Sequence, residues 1–371
     1  MTVSGRIVTP DGVVEGVLRL DGDRIGAVEP DASAADRWIL PGFVDIHTHG
    51  GGGHTFTTGD AAAAREGAAF HLRHGTTTLL ASLVSSPFEL MRDAVLAYAP
   101  LVAEGVLAGV HFEGPYLSHA RCGAQNPQFL RDPSLDELTE LIKLAGGSVA
   151  DGGVLRMVTI APERAGALDA IRLLAEHGVV AAIGHTDGSY AEVRAGIEAG
   201  ATVATHLFNG MRPVHHREPG PIVALLDSPA VVCELVADGV HLHDGTLLFA
   251  AHTAGAARAA LITDAMAAAG MADGEYDLGG QAVVVADRVA RLARDGSIAG
   301  STLTMDAAVR QALGAGLSIT DVATMAATTP ARAVGLDAEL GALRPGLRAD
   351  LVELDGELRV VRVMKSGEWI R

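Results

Sequence analysis

The chain has 371 residues, 49% of them hydrophobic and 20% charged, with a formal net charge of −17. That charge repels phosphate backbones and excludes nucleic acid as an expected partner, and charges interrupt each apolar run before the roughly 18 residues a membrane span needs. Cys122 and Cys233 are too few for a disulfide framework and suit a reducing compartment, and residues 1–10 carry no basic and apolar leader pattern, so a cytoplasmic protein without a membrane partner is expected.

Residues 1–40 alternate apolar and polar positions between the turns Pro10-Asp11-Gly12 and Asp21-Gly22-Asp23. Alternation between Asp-Gly turns predicts short antiparallel strands. Residues 341–371 have the same texture, with strands expected at 349–354 and 360–364. The economical expectation is one small β-sandwich domain built from both termini. Two unrelated β flaps are the alternative.

The centre, 41–340, alternates apolar runs with Ala-rich helical stretches. Strands are expected at 40–47, 76–84, 107–113, 155–161, 179–185, 202–206, 231–236 and 260–264. Helices are expected at 60–74, 87–104, 134–144, 164–177, 189–199, 220–226, 244–257 and 305–315. Near-continuous apolar strands alternating with helices predict a parallel sheet under a helical layer. Eight such units make a (β/α)8 TIM-like barrel the expected α/β fold. A doubly wound open sheet is the alternative, weakened because no Gly-x-Gly-x-x-Gly turn follows the first strand. Residues 271–300 break the alternation and read as a β-hairpin inserted after the eighth strand.

Ligand-type residues collect where those strands end, which is where barrel enzymes build their sites. His47 and His49 are two apart, so an extended strand projects both to one side. Glu113 ends the third strand, His185 the fifth, His206 the sixth and Asp264 the eighth, while His241 follows the seventh. Taken singly, each has a bland reading: a hydrogen-bonded core histidine, a loop carboxylate or a helix cap. Together they would cost too much as unpaired buried polar groups. Histidine with carboxylate suits a divalent metal, zinc above all, with open positions for water.

Several motifs carry a resemblance. They are Pro41-Gly42-Phe43-Val44-Asp45-Ile46-His47-Thr48-His49-Gly50, His111-Phe112-Glu113-Gly114-Pro115, Thr205-His206-Leu207-Phe208-Asn209-Gly210-Met211, Arg217-Glu218-Pro219-Gly220 and Ala299-Gly300-Ser301-Thr302-Leu303-Thr304-Met305. The chain resembles the amidohydrolase superfamily and, within it, the N-acetylglucosamine-6-phosphate deacetylase family. The resemblance implies Glu113, His185 and His206 as metal ligands, with His47 and His49 joining Asp264 at a second position in members that have it. One or two zinc ions are implied. Asp264 is implied as the catalytic acid–base, taking a proton from water and passing it to the departing amine. Gln125, Asn209, Gly210, Arg217, His241 and Leu303 are implied substrate-binding residues, with Arg217 crossing to the neighbouring site in a homodimer. Two departures stand out: Gln125 replaces the family's histidine, and Gly210 a usual alanine.

The implied reaction is metal-dependent deacetylation of N-acetyl-D-glucosamine 6-phosphate to D-glucosamine 6-phosphate and acetate, in amino-sugar catabolism and cell-wall recycling. Another amidohydrolase acting on a cyclic amide, or an inactive barrel serving as a binding or scaffold protein, are the alternatives. The fourth strand ends at Ile160-Ala161-Pro162-Glu163 without the lysine that cyclic-amide hydrolases of the superfamily use there.

Overall fold

The computed structural model describes residues 1–370. Its central sheet has eight parallel strands: β1 (Phe43–Thr48), β2 (Thr76–Leu83), β3 (Gly109–Glu113), β4 (Leu155–Ile160), β5 (Val180–Ile183), β6 (Val203–Ala204), β7 (Val232–Val236) and β8 (Ala259–Ile262). They lie side by side in chain order. The helices between them are α1 (Ala61–Arg73), α2 (Phe88–Ala103), α3 (Leu135–Leu144), α4 (Ala167–Glu176), α5 (Tyr190–Ala199), α6 (Gly220–Asp227) and α7 (Asp244–Ala254), with α8 (Met305–Ala315) after the last strand. Every residue of β1, β2, β3, β7 and β8 is buried. Burial on both faces is what a helical layer imposes on a parallel sheet.

Beyond the regular ladder, two backbone bonds join the last strand to the first. The Asp264 amide donates to the His47 carbonyl at 2.9 Å, and the His49 amide to the Ala265 carbonyl at 2.7 Å. The buried Asp45 carboxylate strengthens this seam by accepting from Thr263 Oγ1 at 2.5 Å and from the His47 amide at 3.3 Å. Burial lifts the Asp45 carboxyl to about 7 against those donors. The barrel is therefore tied shut at the end where β1 and β8 deliver their polar residues. Side-chain caps start several helices: Asp60 on α1, Ser134 on α3, and a reciprocal Ser189–Glu192 box on α5.

Strands from both chain ends form one connected seven-stranded sheet. Leu351–Leu354 runs antiparallel to Trp38–Pro41, which runs parallel to Thr2–Thr9. Ile7, Leu18, Ile25, Ile39, Leu351 and Met364 share its core. The expected strand at 40–47 is thus two strands, one in this sheet and one in the barrel. Gly42 is the pivot between them, because a Cβ there would collide with Thr77.

One other expectation changes, and one segment without a sequence reading proves helical. The insert is a three-stranded antiparallel sheet, Gly274–Leu278, Gln281–Ala286 and Val289–Leu292, not a hairpin. Its first strand exposes Glu275 and Asp277, so its composition reads as turn. Residues 319–333 form two short helices, Ile319–Ala323 and Thr329–Ala333, joined by a π-helical turn. Their Ala- and Thr-rich run has no clear apolar period.

Asp306 fixes the start of α8. Its carboxylate accepts from His74 Nδ1 at 3.1 Å and from Arg310 Nη1 at 2.8 Å. Burial opposes ionisation, but hydrogen bonds from His74 and Thr304 and the Arg310 charge hold this carboxyl well below the usual range. A depressed folded pKa stabilises above the unfolded carboxylate value, near 4, and that stability fades as pH falls. Asp306→Asn is expected to cost about 1.5–3 kcal/mol at pH 7. In thermal melts the gap to the wild type should narrow steadily below pH 4; a gap independent of pH contradicts this.

Candidate metal centre

Six ligand-type side chains converge at the carboxyl end of the barrel. His47 lies near the end of β1 and His49 just beyond it, Glu113 ends β3, and His185, His206 and Asp264 stand two residues past β5, β6 and β8. All six are buried. Their ligand atoms fall into two groups, Glu113–His185–His206 and His47–His49–Asp264. His185, His206 and Asp264 have φ values of 44°, 27° and 49°. Left-handed backbone at non-glycine residues is strained and collects at functional sites. Here it turns each side chain off a strand end into the barrel mouth.

In the first group, His206 Nε2 is 2.8 Å and His185 Nε2 3.0 Å from Glu113 Oε1, and the two ring nitrogens are 3.1 Å apart. In the second, His47 Nε2 and His49 Nε2 are 3.2 Å apart, with Asp264 Oδ1 at 3.6 and 3.3 Å. Glu113 faces both groups, because its Oε2 is 3.2 Å from His49 Nε2.

The protons decide what fits between these atoms. His49 Nδ1 is 3.1 Å from the Ser82 carbonyl, His185 Nδ1 2.8 Å from that of Arg121, and His206 Nδ1 3.2 Å from that of Asn209. His47 Nδ1 is 3.0 Å from Glu234 Oε2. Each acceptor places a proton on Nδ1 and leaves a lone pair on Nε2. Lone pairs therefore meet lone pairs and carboxylate oxygens at a buried site. A proton can relieve this by charging an imidazole or by neutralising a carboxylate: burial resists the first, yet the neighbouring carboxylates push His49 up to about 9, and the histidines hold the Glu113 and Asp264 carboxyls down against burial. A divalent ion relieves it directly. Ligands about 2.1 Å from a tetrahedral ion sit roughly 3.4 Å from one another, close to the spacings present. The donor set therefore fits a metal at both positions.

Asp264 keeps one oxygen free of these groups. Its Oδ1 faces His49, while Oδ2 is 3.9 Å from His241 Nε2. Burial raises this carboxyl, but the His49 hydrogen bond and the charges of His47 and His206 bring it down to about 2. The His241 ring is held by Asp238, whose Oδ2 is 2.7 Å from Nδ1.

A cavity of about 300 Å³ opens over the two groups, lined by His49, Glu113, Gln125, His185, His206, Asn209, Gly210, His241 and Asp264. The insert contributes Leu278, and the segment behind it Ser297, Ile298 and Gly300. Other residues of the implied substrate set lie elsewhere. Leu303 lines a neighbouring cavity with Asp238, Arg288 and Gln311. Arg217 stands on an exposed turn beside His216 and does not line the cavity of its own chain.

Gln125 is buried, and both ends of its amide are engaged within the protein. Nε2 donates to Glu113 Oε2 and Oε1 accepts from the Ser85 amide, each at 2.6 Å. Gln125 thus braces Glu113 from the cavity wall. Gln125→Leu strands the Ser85 amide and is expected to cost about 1–3 kcal/mol in denaturant unfolding; an unchanged midpoint contradicts that placement. Gly210 is more than a neutral change from alanine. With φ at 61°, an added Cβ would sit 2.8 Å from His185 Nδ1, so glycine lets the loop close under that ring.

The residue reading missed the supports beneath the ligands. Glu234, in the middle of β7, is fully buried against His47 and His206. His111 spans the barrel from Ser82 Oγ to Thr159 Oγ1, at 2.9 Å each. The available signal was a lone charge or imidazole inside an apolar strand.

Comparison with known proteins places this geometry among relatives. The model of the Amidohydrolase family matches residues 38–370. The N-acetylgalactosamine-6-phosphate deacetylase of Escherichia coli O157:H7 is 36% identical, over 98% of this chain and 97% of its own. The N-acetylglucosamine-6-phosphate deacetylase of Lysinibacillus sphaericus is 35% identical, over 89% and 85%. Among solved structures, the N-acetyl-D-glucosamine-6-phosphate deacetylase of Mycobacterium smegmatis superposes with a TM-score of 0.95 at 43% identity, covering 100% of both chains. An Asp-to-Ala mutant of that enzyme has been solved in complex with N-acetyl-D-glucosamine-6-phosphate; its TM-score is 0.94 at 43% identity, covering 100% of this chain and 98% of that one.

Proposed function

The chain belongs to the amidohydrolase family, and on that premise we propose that it is a metal-dependent deacetylase converting N-acetyl-D-glucosamine 6-phosphate to D-glucosamine 6-phosphate and acetate. The observation that carries the reading is Asp264, with one oxygen among the imidazoles and the other toward the cavity. A bound divalent ion lowers the pKa of water and polarises a carbonyl. Zinc is the ion this imidazole and carboxylate set favours.

The residues supply the rest. Asp264 is ionised at neutral pH and accepts the water proton on Oδ2. The same oxygen then donates to the amine nitrogen, without which an amine leaves poorly. Burial resists protonation of His241, but Asp238 and Asp264 raise its pKa, so the charged ring, held through Nδ1 by Asp238, donates from Nε2–H to the acetyl oxygen. Asn209 and the Gly210 backbone face the sugar phosphate. Arg217 reaches the phosphate across a homodimer, consistent with its exposed place outside its own cavity. The phosphate is remote from the reacting bond, so its binding energy orients the amide. A cytoplasmic role in amino-sugar catabolism and cell-wall recycling follows from that substrate.

A second reading, N-acetylgalactosamine 6-phosphate as substrate, is favoured by the Escherichia coli relative, 36% identical over 98% of this chain. An inactive scaffold has no reason to keep six buried ligand-type residues. Acetate release from both sugar phosphates, from N-acetylmannosamine 6-phosphate and from free N-acetylglucosamine, measured beside ring opening of a hydantoin, decides among these. The highest kcat/KM is expected on N-acetylglucosamine 6-phosphate, with free N-acetylglucosamine far poorer. Hydantoin cleavage without acetate release overturns the proposal.

A further inference from the structure

Glu234 is fully buried in the middle of β7, and the proposed reaction does not use it. Its Oε2 lies 3.0 Å from His47 Nδ1 and accepts from the His206 amide, also at 3.0 Å. Its own carbonyl accepts from the Leu207 amide at 2.9 Å. One residue therefore grips a ring of the His47–His49–Asp264 group and the strained backbone carrying a ring of the Glu113–His185–His206 group. Its Oε1 has no hydrogen-bond partner among the described residues, a costly arrangement for a carboxylate kept only for packing.

The other three imidazoles rest Nδ1 on neutral backbone carbonyls; His47 rests on a carboxylate. A carboxylate behind a histidine fixes its tautomer and raises the basicity of the far nitrogen. It also changes the local charge. Two dications facing Glu113 and Asp264 alone would leave two uncompensated positive charges at a buried site; Glu234 reduces this to one. We infer that Glu234 is a positioning residue that decides whether the His47–His49–Asp264 position holds a metal ion. This rests on the metal-centre reading above and goes beyond it, because it assigns occupancy to a residue that touches no ion.

Glu234→Gln tests it. Glutamine keeps the shape and one acceptor oxygen but removes the charge. Metal-free protein is loaded with Zn2+, passed through gel filtration and counted by elemental analysis, and Co2+ titrations give the affinity of each step. The wild type is expected to hold two ions per chain. The variant should keep the first with unchanged affinity and bind the second about 10- to 100-fold more weakly. Retention of the first ion shows that the fold and the Glu113 group survive. If the glutamine variant does not fold, Glu234→Asp takes its place: it keeps the charge, retracts it from His47, and should also weaken the second ion alone. Two ions at wild-type affinity in the folded variant overturn the inference while leaving the proposed function intact. A wild type holding one ion overturns it too, and a wild type holding none overturns the metal-centre reading itself.

Discussion

Asp264→Asn is expected to lower kcat by about 10²- to 10⁴-fold, the usual contribution of a placed acid–base, while the Glu113–His185–His206 group still retains its ion. Asparagine suits the test for two reasons. Asp264 sits at φ 49°, a left-handed conformation that asparagine tolerates better than most residues. Its backbone amide bonds the His47 carbonyl at 2.9 Å, so the barrel seam does not depend on the side chain. What the variant lacks is a group that can carry a proton from Oδ2 to nitrogen. Substrate binding should change little, so the loss should fall on kcat rather than KM. Near-normal turnover contradicts the assignment.

Glu113→Gln should remove metal as well as turnover. Glu113 is the carboxylate of its triad, and its two oxygens lie within 3.2 Å of three ring nitrogens, those of His185, His206 and His49. An amide there brings no charge and sets an N–H either against those rings or against the amide of Gln125, itself a donor at 2.6 Å. Loss of bound metal from both positions is expected, together with roughly 10³-fold or more in kcat/KM if about 4 kcal/mol of transition-state stabilisation goes with it. Metal content and turnover should fall together. A variant that retains its ions and its activity contradicts the shared role of Glu113.

Both residues were legible in the sequence because each ends an apolar run. A barrel strand is mostly apolar while it is inside the sheet, so ligand-type residues at its end mark the mouth. Glu113, His185, His206 and Asp264 stand there, although His111, two residues before Glu113, is an imidazole inside the same strand, and the two-residue period places His47 and His49 on one side. The helix starts at Asp60, Ser134 and Ser189 were readable for the same local reason. Long-range partnerships were not. Glu234 reads as an interruption in Val231-Val232-Cys233-Glu234-Leu235-Val236, and its partner His47 is 187 positions away. That Gln125 also holds Glu113 and the Ser85 amide depends on partners 12 and 40 positions away. The strand Gly274–Leu278 escaped because an exposed edge carries no apolar alternation, and Leu40 was joined to the barrel because the pivot at Gly42 depends on Thr77, far along the chain.

The central claim is that hydrolysis of the acetamide depends on metal held by these side chains. Protein stripped with a chelator and then reconstituted with measured zinc, assayed for acetate release from N-acetyl-D-glucosamine 6-phosphate, tests it most directly. Turnover should be lost on stripping and return in proportion to the zinc retained; full turnover by protein shown to be free of metal would contradict the account.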